Sequence, residues 1–327
     1  GARLLFAWLS APLTDSGHIA MRLDAVQFLT EATPTREDLR DQLRRCPDLA
    51  RALQRLALER GGPRDLAAVR EAARIAGLLR TLLGNATADL SERKPELLTN
   101  TIAALGSFAP LVERLGRALA SELPANARDG GFIAPGYAAE LDELRTLRDD
   151  SRRHIAALQK RYADETSIGN LRVKHNNVLG YFVEVNPNQA ERLQADDRFV
   201  HRQTMANAMR FTTVELSDLE ARIMQAGDRS LALELELFND LVGEVTARAD
   251  DLSRTAEALA LLDVLGGLAD LAVDLRYTRP VVDNTLAFKI EDGRHPVVEA
   301  VLSADGKAFI ANDCDLSADR DPAERLW

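Results

Sequence analysis

The sequence predicts a mainly α fold: a multi-helix core, a long antiparallel coiled-coil arm, a small β-rich unit at the arm's tip, and a short β segment at the C-terminus. Three observations predict it. The 327-residue chain is dominated by Leu and Ala, with only 5% aromatic residues, a composition that favours helix. Two stretches carry apolar residues at alternating spacings of four and three, as helices packed along a shared seam do. Between them, residues 167 to 189 read SIGNLRVKHNNVLGYFVEVNPNQ, and β-branched and aromatic residues displace the helix formers.

The helical core comes first. Leu4, Leu5, Trp8 and Leu9 form an apolar stripe that Pro12 ends. Asp15 or Ser16 is placed to cap a second helix whose apolar face carries Ile19, Leu23, Val26 and Phe28. Pro47 sits in a first helical turn before Leu49, Leu53 and Leu56, and Gly61-Gly62-Pro63 ends one helix and starts the next. Pro95 and Pro124 punctuate later segments.

The arm follows. From Tyr137 the seam runs Leu141, Leu144, Arg148, Ser151, Ile155, Leu158 and Tyr162. From Leu216 it runs Leu219, Ile223, Ala226, Ser230, Leu233 and Leu237. Folding the second helix back on the first sets Ile155 and Leu158 against Leu219 and Ile223, and Leu141 and Leu144 against Leu233 and Leu237. About 30 residues at ~1.5 Å each make an arm roughly 45 Å long.

At its tip, Leu171, Val173, Val178, Tyr181, Val183 and Val185 have strand propensity, with Asn176-Asn177 as the turn. Gly180 marks a bend or a close approach. The charge also changes sign here. The chain carries −10 overall, but residues 167 to 213 hold six basic residues (Arg172, Lys174, Arg192, Arg198, Arg202, Arg210) against four acidic ones (Glu184, Glu191, Asp196, Asp197). Any nucleic-acid contact is therefore local rather than a property of the whole surface. Asn176, Asn177, Gln203, Thr204, Asn207, His175 and His201 add neutral donors, the set that binds phosphate oxygens without reading bases. A solvated turn accounts for a surplus of two charges equally well.

Elsewhere the chemistry is sparse. Cys46 and Cys314 are the only cysteines and lack metal-ligand spacing; two buried, reduced thiols of a cytosolic protein are expected. No apolar run approaches the ~20 residues of a membrane-spanning helix. The chain opens at Gly1 without Met and stops at Leu326-Trp327 in mid-pattern, so an internal piece of a longer protein is expected.

NLRVKHNNVLGYFVEV followed by RQTMANAMRFTTVEL resembles the clamp segment of the MutS family, DNA mismatch-repair ATPases. GARLLFAWLSAPL and RLALERGGPRDLAAVR resemble the family's helical core, GFIAPGYAAELDELR the start of its lever helix, and GRHPVVEA and FIANDCDLS the first strands of its ATPase domain. The resemblance implies a helical core in residues 1–136 and 246–275, an outgoing lever helix in 137–166 and a returning one in 214–245. It further implies a DNA clamp in 167–213 and the start of an ATPase domain in 276–327.

It also implies that Lys174, His175, Asn176, Asn177, Arg202, Gln203, Asn207 and Arg210 are the contacts to the DNA backbone. Phe309 would stack on adenine, with Ile310 and Asn312 nearby. Ala206 and Met209 stand where the family commonly has charged residues, and Pro135 where a polar residue is usual. Family membership would bring ATP and Mg²⁺ as cofactors, a homodimer, mismatched double-stranded DNA and a MutL-type repair protein as partners, and a cytoplasmic, nucleoid-associated location.

The C-terminal segment reads as short strands at Val281-Val282, Leu286–Ile290 and Ala308–Ala311, and His295 before Pro296 as a structural turn. No G-x-x-x-x-G-K-[ST] phosphate loop occurs in the sequence, so the parent protein, and not this chain, is expected to hydrolyse ATP. A reading of another class stays open: a structural coiled-coil scaffold whose arm tip docks a protein.

Overall fold

The computed structural model describes residues 1–88, 90, 94–176 and 178–317. The chain opens with helices α1 (Ala2–Ser10), α2 (Ser16–Glu31), α3 (Thr33–Arg45), α4 (Leu49–Ala57), α5 (Pro63–Ala86), α6 (Glu96–Ala104) and α7 (Ala109–Ala118). Their boundaries follow local chemistry. The Asp15 carboxylate accepts from the His18 amide at 2.7 Å and caps α2; Asp48 accepts from Arg51 at 3.0 Å and caps α4. Gly62 caps α5 with Pro63 in its first turn, and a Cβ at Gly62 would lie 2.5 Å from the Ala125 carbonyl oxygen. Only glycine fits there.

The apolar face expected on α2 is shifted. Ala25 and Leu29 are buried, while Val26 and Phe28 are half-buried. Ala25 and Leu29, four residues apart, share one helix face, and that face is the one turned to the core.

Two longer helices, α8 (Ala139–Thr166) and α10 (Val214–Thr246), run antiparallel against each other. Arg161 pairs with Glu215 and the Tyr162 hydroxyl meets Thr213 Oγ1 at 2.7 Å near one end; Arg145 meets Glu234 and Arg229 meets Glu140 toward the other. At 33 residues, α10 is about 50 Å long. Leu141, Leu158, Tyr162, Leu216, Ala226 and Ser230 are buried as the seam predicts. The side chains of Arg148 and Ser151 lie outside the described residues.

Toward the body the seam departs from expectation. The buried line on α10 continues through Glu234, Phe238, Leu241 and Val245, leaving Leu233 and Leu237 half-buried. Steps of four from Ala226 carry the contact stripe around the helix, and the Glu234 carboxylate is tolerated because three donors meet it.

Between α8 and α10 lie β1 (Arg172–Asn176), β2 (Gly180–Val185), α9 (Pro187–Gln194), β3 (Val200–Met205) and β4 (Ala208–Thr212). The strands form an antiparallel sheet in the order β1-β2-β4-β3. The unit has its own apolar cluster, in which Ile168, Leu171, Val183, Val185, Leu193 and Phe211 pack with Leu158 and Tyr162 of α8 and Leu216 of α10. Each such burial contributes about 1.5–3 kcal/mol. The sequence reading contained no α9, although Pro187 after Asn186 is a helix-start signal.

Helix α11 (Ala249–Asp274) returns through the body and packs against α2, α3, α4 and α6, completing the main core with Leu252, Leu262, Leu265 and Ala269. Beyond it come β5 (Lys289–Gly293), α12 (Pro296–Ala304) and β6 (Asn312–Asp315), with β5 and β6 paired antiparallel. The strands expected at Val281-Val282 and Ala308–Ala311 are not formed. Val281 is 93% exposed and the pairing begins only at Asn312, so those apolar residues lack a neighbouring strand to complete a ladder. His295 is structural as expected: its Nδ1 accepts from the Val298 amide at 3.3 Å and caps α12.

Candidate nucleic-acid interface

Strand alternation divides the sheet's side chains between two faces. Val183, Val185 and Phe211 point into the apolar cluster, with Val173, Tyr181 and Met209 packed beside them. The residues between them must point the other way. The register aligns Lys174 with Phe182, Arg172 and Arg210 with Glu184, Asn176 with Gly180, and Gln203 with Arg210. The outer face therefore gathers Arg172, Lys174, Asn176, Gln203 and Arg210 from three strands.

His175 lies on the opposite face, at its edge, with its ring centroid 4.8 Å from that of Tyr181. Alternation separates it from Lys174 and Asn176, its sequence neighbours. Asn177 lies outside the described residues. Asn207 is exposed in the turn between β3 and β4.

Arg202 is different again. The register shifts between His201 and Gln203, so Arg202 occupies a bulge with no cross-strand partner. Its side chain is exposed, and among the described residues it has no hydrogen-bond or ion-pair partner.

The outer face is internally wired. Lys174 Nζ donates to Glu184 Oε1 at 2.6 Å, and Arg210 Nε donates to Glu184 Oε2 at 3.1 Å. Arg210 Nη1 donates to Gln203 Oε1 at 2.9 Å, and its guanidinium lies 4.5 Å from the centroid of Phe182, which is buried beneath it. The hydrogen bond from Lys174 holds the Glu184 carboxyl below the usual range; burial opposes this and Arg210 reinforces it. The Asn176 side-chain Oδ1 accepts from the Val178 and Leu179 amides at 2.9 and 2.8 Å, closing the β1–β2 turn and leaving its NH₂ as a donor.

Sequence reasoning missed Glu184, though one signal was present. Val183 and Val185 bracket it, so a period of two sets it on the face of Lys174 once the register is known.

Of the adenine candidates, Phe309 is half-buried and Ile310 is 79% exposed, both in the segment just before β6. Asn312 begins β6, and its Nδ2 donates to the Ile310 carbonyl at 3.2 Å. The described residues contain no group of three or more His, Cys, Asp or Glu able to hold a metal ion. Cys46 and Cys314 are free but only half-buried, not buried as expected, and burial pushes the Cys46 thiol up to about 11. No helix among the described residues is long and apolar enough to cross a membrane.

Residues 1–269 match the family model for MutS domain III. The chain belongs to the MutS family. The matched portion takes in α1 through α10, the whole four-stranded sheet, and most of α11. Among similar proteins, a DNA mismatch repair protein MutS from Rhodopseudomonas palustris is 51% identical over 321 residues, covering 97% of this chain and 35% of the relative. One from Rhizobium meliloti is 51% identical over 324 residues, with the same coverage. One from Azorhizobium caulinodans is 50% identical over 332 residues, covering 100% of this chain and 35% of the relative. The chain thus spans about a third of the length of these MutS relatives.

Proposed function

We propose that this portion of a MutS-family protein grips the backbone of duplex DNA through the outer face of the four-stranded sheet, and that α8 and α10 couple the grip to the helical body. The observation that carries the reading is the set of side chains collected there. Arg172, Lys174 and Arg210, with the amides of Asn176 and Gln203, share one face of a sheet in an otherwise acidic chain. Cations and short amides at that spacing meet phosphate oxygens and carry no base-edge code. In this reading Arg202 and Asn207 extend the contact along the β3–β4 hairpin, His175 would reach the backbone only from the edge of the opposite face, and Asn177, outside the described residues, is kept as a contact by resemblance alone.

The parent protein would serve DNA mismatch repair as a cytoplasmic homodimer, acting on mismatched duplex and with a MutL-type protein. It would hydrolyse ATP with Mg²⁺. Phe309, Ile310 and Asn312 would lie on the adenine side of that nucleotide. The residues of this chain do not by themselves fit the triphosphate, since the sequence has no Gly-Lys-Ser or Gly-Lys-Thr loop to cradle it.

The test is duplex binding by fluorescence anisotropy across a salt series. Affinity should fall with a log–log slope of about −0.9 per phosphate engaged, equally for matched and mismatched duplex. Arg202→Ala is the cleanest variant, because that side chain supports nothing else in the sheet. It should weaken binding severalfold and reduce the slope by about one phosphate; adding Arg210→Ala should weaken it further. Unchanged affinity and slope in the folded double variant would remove the assignment. Val178, 90% exposed beside the β1–β2 turn, favours the second reading, a protein-docking tip, and salt-insensitive capture of a protein would support that instead.

A further inference from the structure

Glu184 is the one carboxylate on the outer face of β1, β2 and β4, and both of its oxygens are engaged by cations from the flanking strands. One comes from β1 and one from β4, with Glu184 on the strand between them. A phosphodiester presents the same feature to such a pair: two acceptor oxygens sharing one negative charge.

We infer that Glu184 is a resident stand-in for a duplex phosphate, holding Lys174 and Arg210 in the DNA-free protein and exchanged for the DNA backbone on binding. This rests on the reading that the outer face binds duplex.

The two cations are anchored unequally, which makes the exchange practicable. Arg210 keeps its bond to Gln203 and its seat on Phe182 when the carboxylate leaves. Among the described residues Lys174 has no second partner, its side chain is 54% exposed, and its flexible stem can carry the ammonium from carboxylate to phosphate. The Glu184 side chain is only 17% exposed, so its charge stays close to any phosphate that displaces it. It therefore opposes binding in two ways: two ion pairs must be given up, and a like charge remains nearby. A weak, readily released contact suits a surface that holds the backbone without reading sequence.

The opposing possibility is that Glu184 only positions Arg210, and the sign of one substitution separates the two. Glu184→Gln keeps the shape and an acceptor oxygen but removes the charge. If Glu184 competes with phosphate, duplex affinity of the full chain should rise by about threefold to tenfold at low salt. Lys174→Gln should then cost more in the Glu184→Gln background than in the wild-type background, because only there is the lysine unpaired before DNA arrives.

Unchanged or weaker binding by Glu184→Gln, in protein whose thermal melt is normal, overturns the inference. Should that variant fold poorly, Glu184→Ala carries the same test, since it removes the same charge and both ion pairs and should also bind more tightly. Failure of the underlying reading is recognised separately, by wild-type protein that shows no salt-dependent duplex binding or by no effect of Arg202→Ala combined with Arg210→Ala. Loss of affinity in Arg202→Ala without a gain in Glu184→Gln removes the stand-in role and leaves the grip.

Discussion

Gly180 opens β2 with φ +69°, and a Cβ built there would lie 2.0 Å from Glu220 Oε1. Both facts forbid a side chain, but they differ in cost. The backbone conformation penalises any L-residue by about 1–2 kcal/mol, whereas the Glu220 carboxylate can swing aside at the loss of its bond from the Tyr181 amide. That bond is worth about 0.5–1.5 kcal/mol. Gly180→Ala should therefore destabilise the sheet by about 2 kcal/mol, measured by urea unfolding followed through tyrosine emission; a variant as stable as wild type would show that the turn relaxes freely. The need for glycine was legible in the sequence, because a lone Gly inside a strand pattern points to a bend or a close approach. The role of Glu184 was not. Its partners stand 10 and 26 residues away, and which strands neighbour β2 is decided by folding, not by local pattern.

Among the elements, the α8–α10 pair shows how far periodicity carries and where it stops. Spacings of four and three identified the seam where the partner is another helix, as at Leu158, Tyr162, Leu216 and Ala226. Near the body α10 must also meet the loop before α8, and a polar contact takes over. The Glu234 carboxylate, almost fully buried, accepts from the Gly131 amide at 2.7 Å, the Ile133 amide at 3.3 Å and Arg145 Nη2 at 2.5 Å. No hydrophobic pattern predicts this, because the residue that carries it breaks the pattern. Glu234→Ala would leave two backbone donors without their acceptor and Arg145 with only the Ile133 carbonyl and Asp142, in a nearly buried site. Removing one partner of a buried pair typically costs about 3–5 kcal/mol, and urea unfolding should show a loss of that size. A loss below about 1 kcal/mol would mean that water reaches the site and that the joint is no firmer than a surface ion pair.

At the scale of the whole molecule, the arrangement of apolar clusters sets an order of local stability. The body's cluster runs through Leu66, Val69, Ile75 and Leu79 of α5 and Leu262 and Leu265 of α11, all with no exposed surface. The sheet has a smaller, separate cluster that α8 and α10 close from one side. Among the described residues beyond 276 most side chains are exposed, including Val281, Leu286, Phe288 and Ile310. An amide exchanges through the least costly opening that frees it, and that cost rises with the apolar surface exposed. Hydrogen exchange should therefore be slowest in α5 and α11, intermediate in β2 and β4, and fastest in β5, α12 and β6. Sheet amides as slow as those of α5 would mean that the two clusters open as one unit, and the sheet could not then adjust independently of the body. Sheet amides as fast as those of β5 would mean that its cluster adds no protection, leaving the outer face unformed in the free protein. The intermediate rank is what the proposed grip requires, because a face assembled from three strands is useful only if it persists between encounters with the backbone.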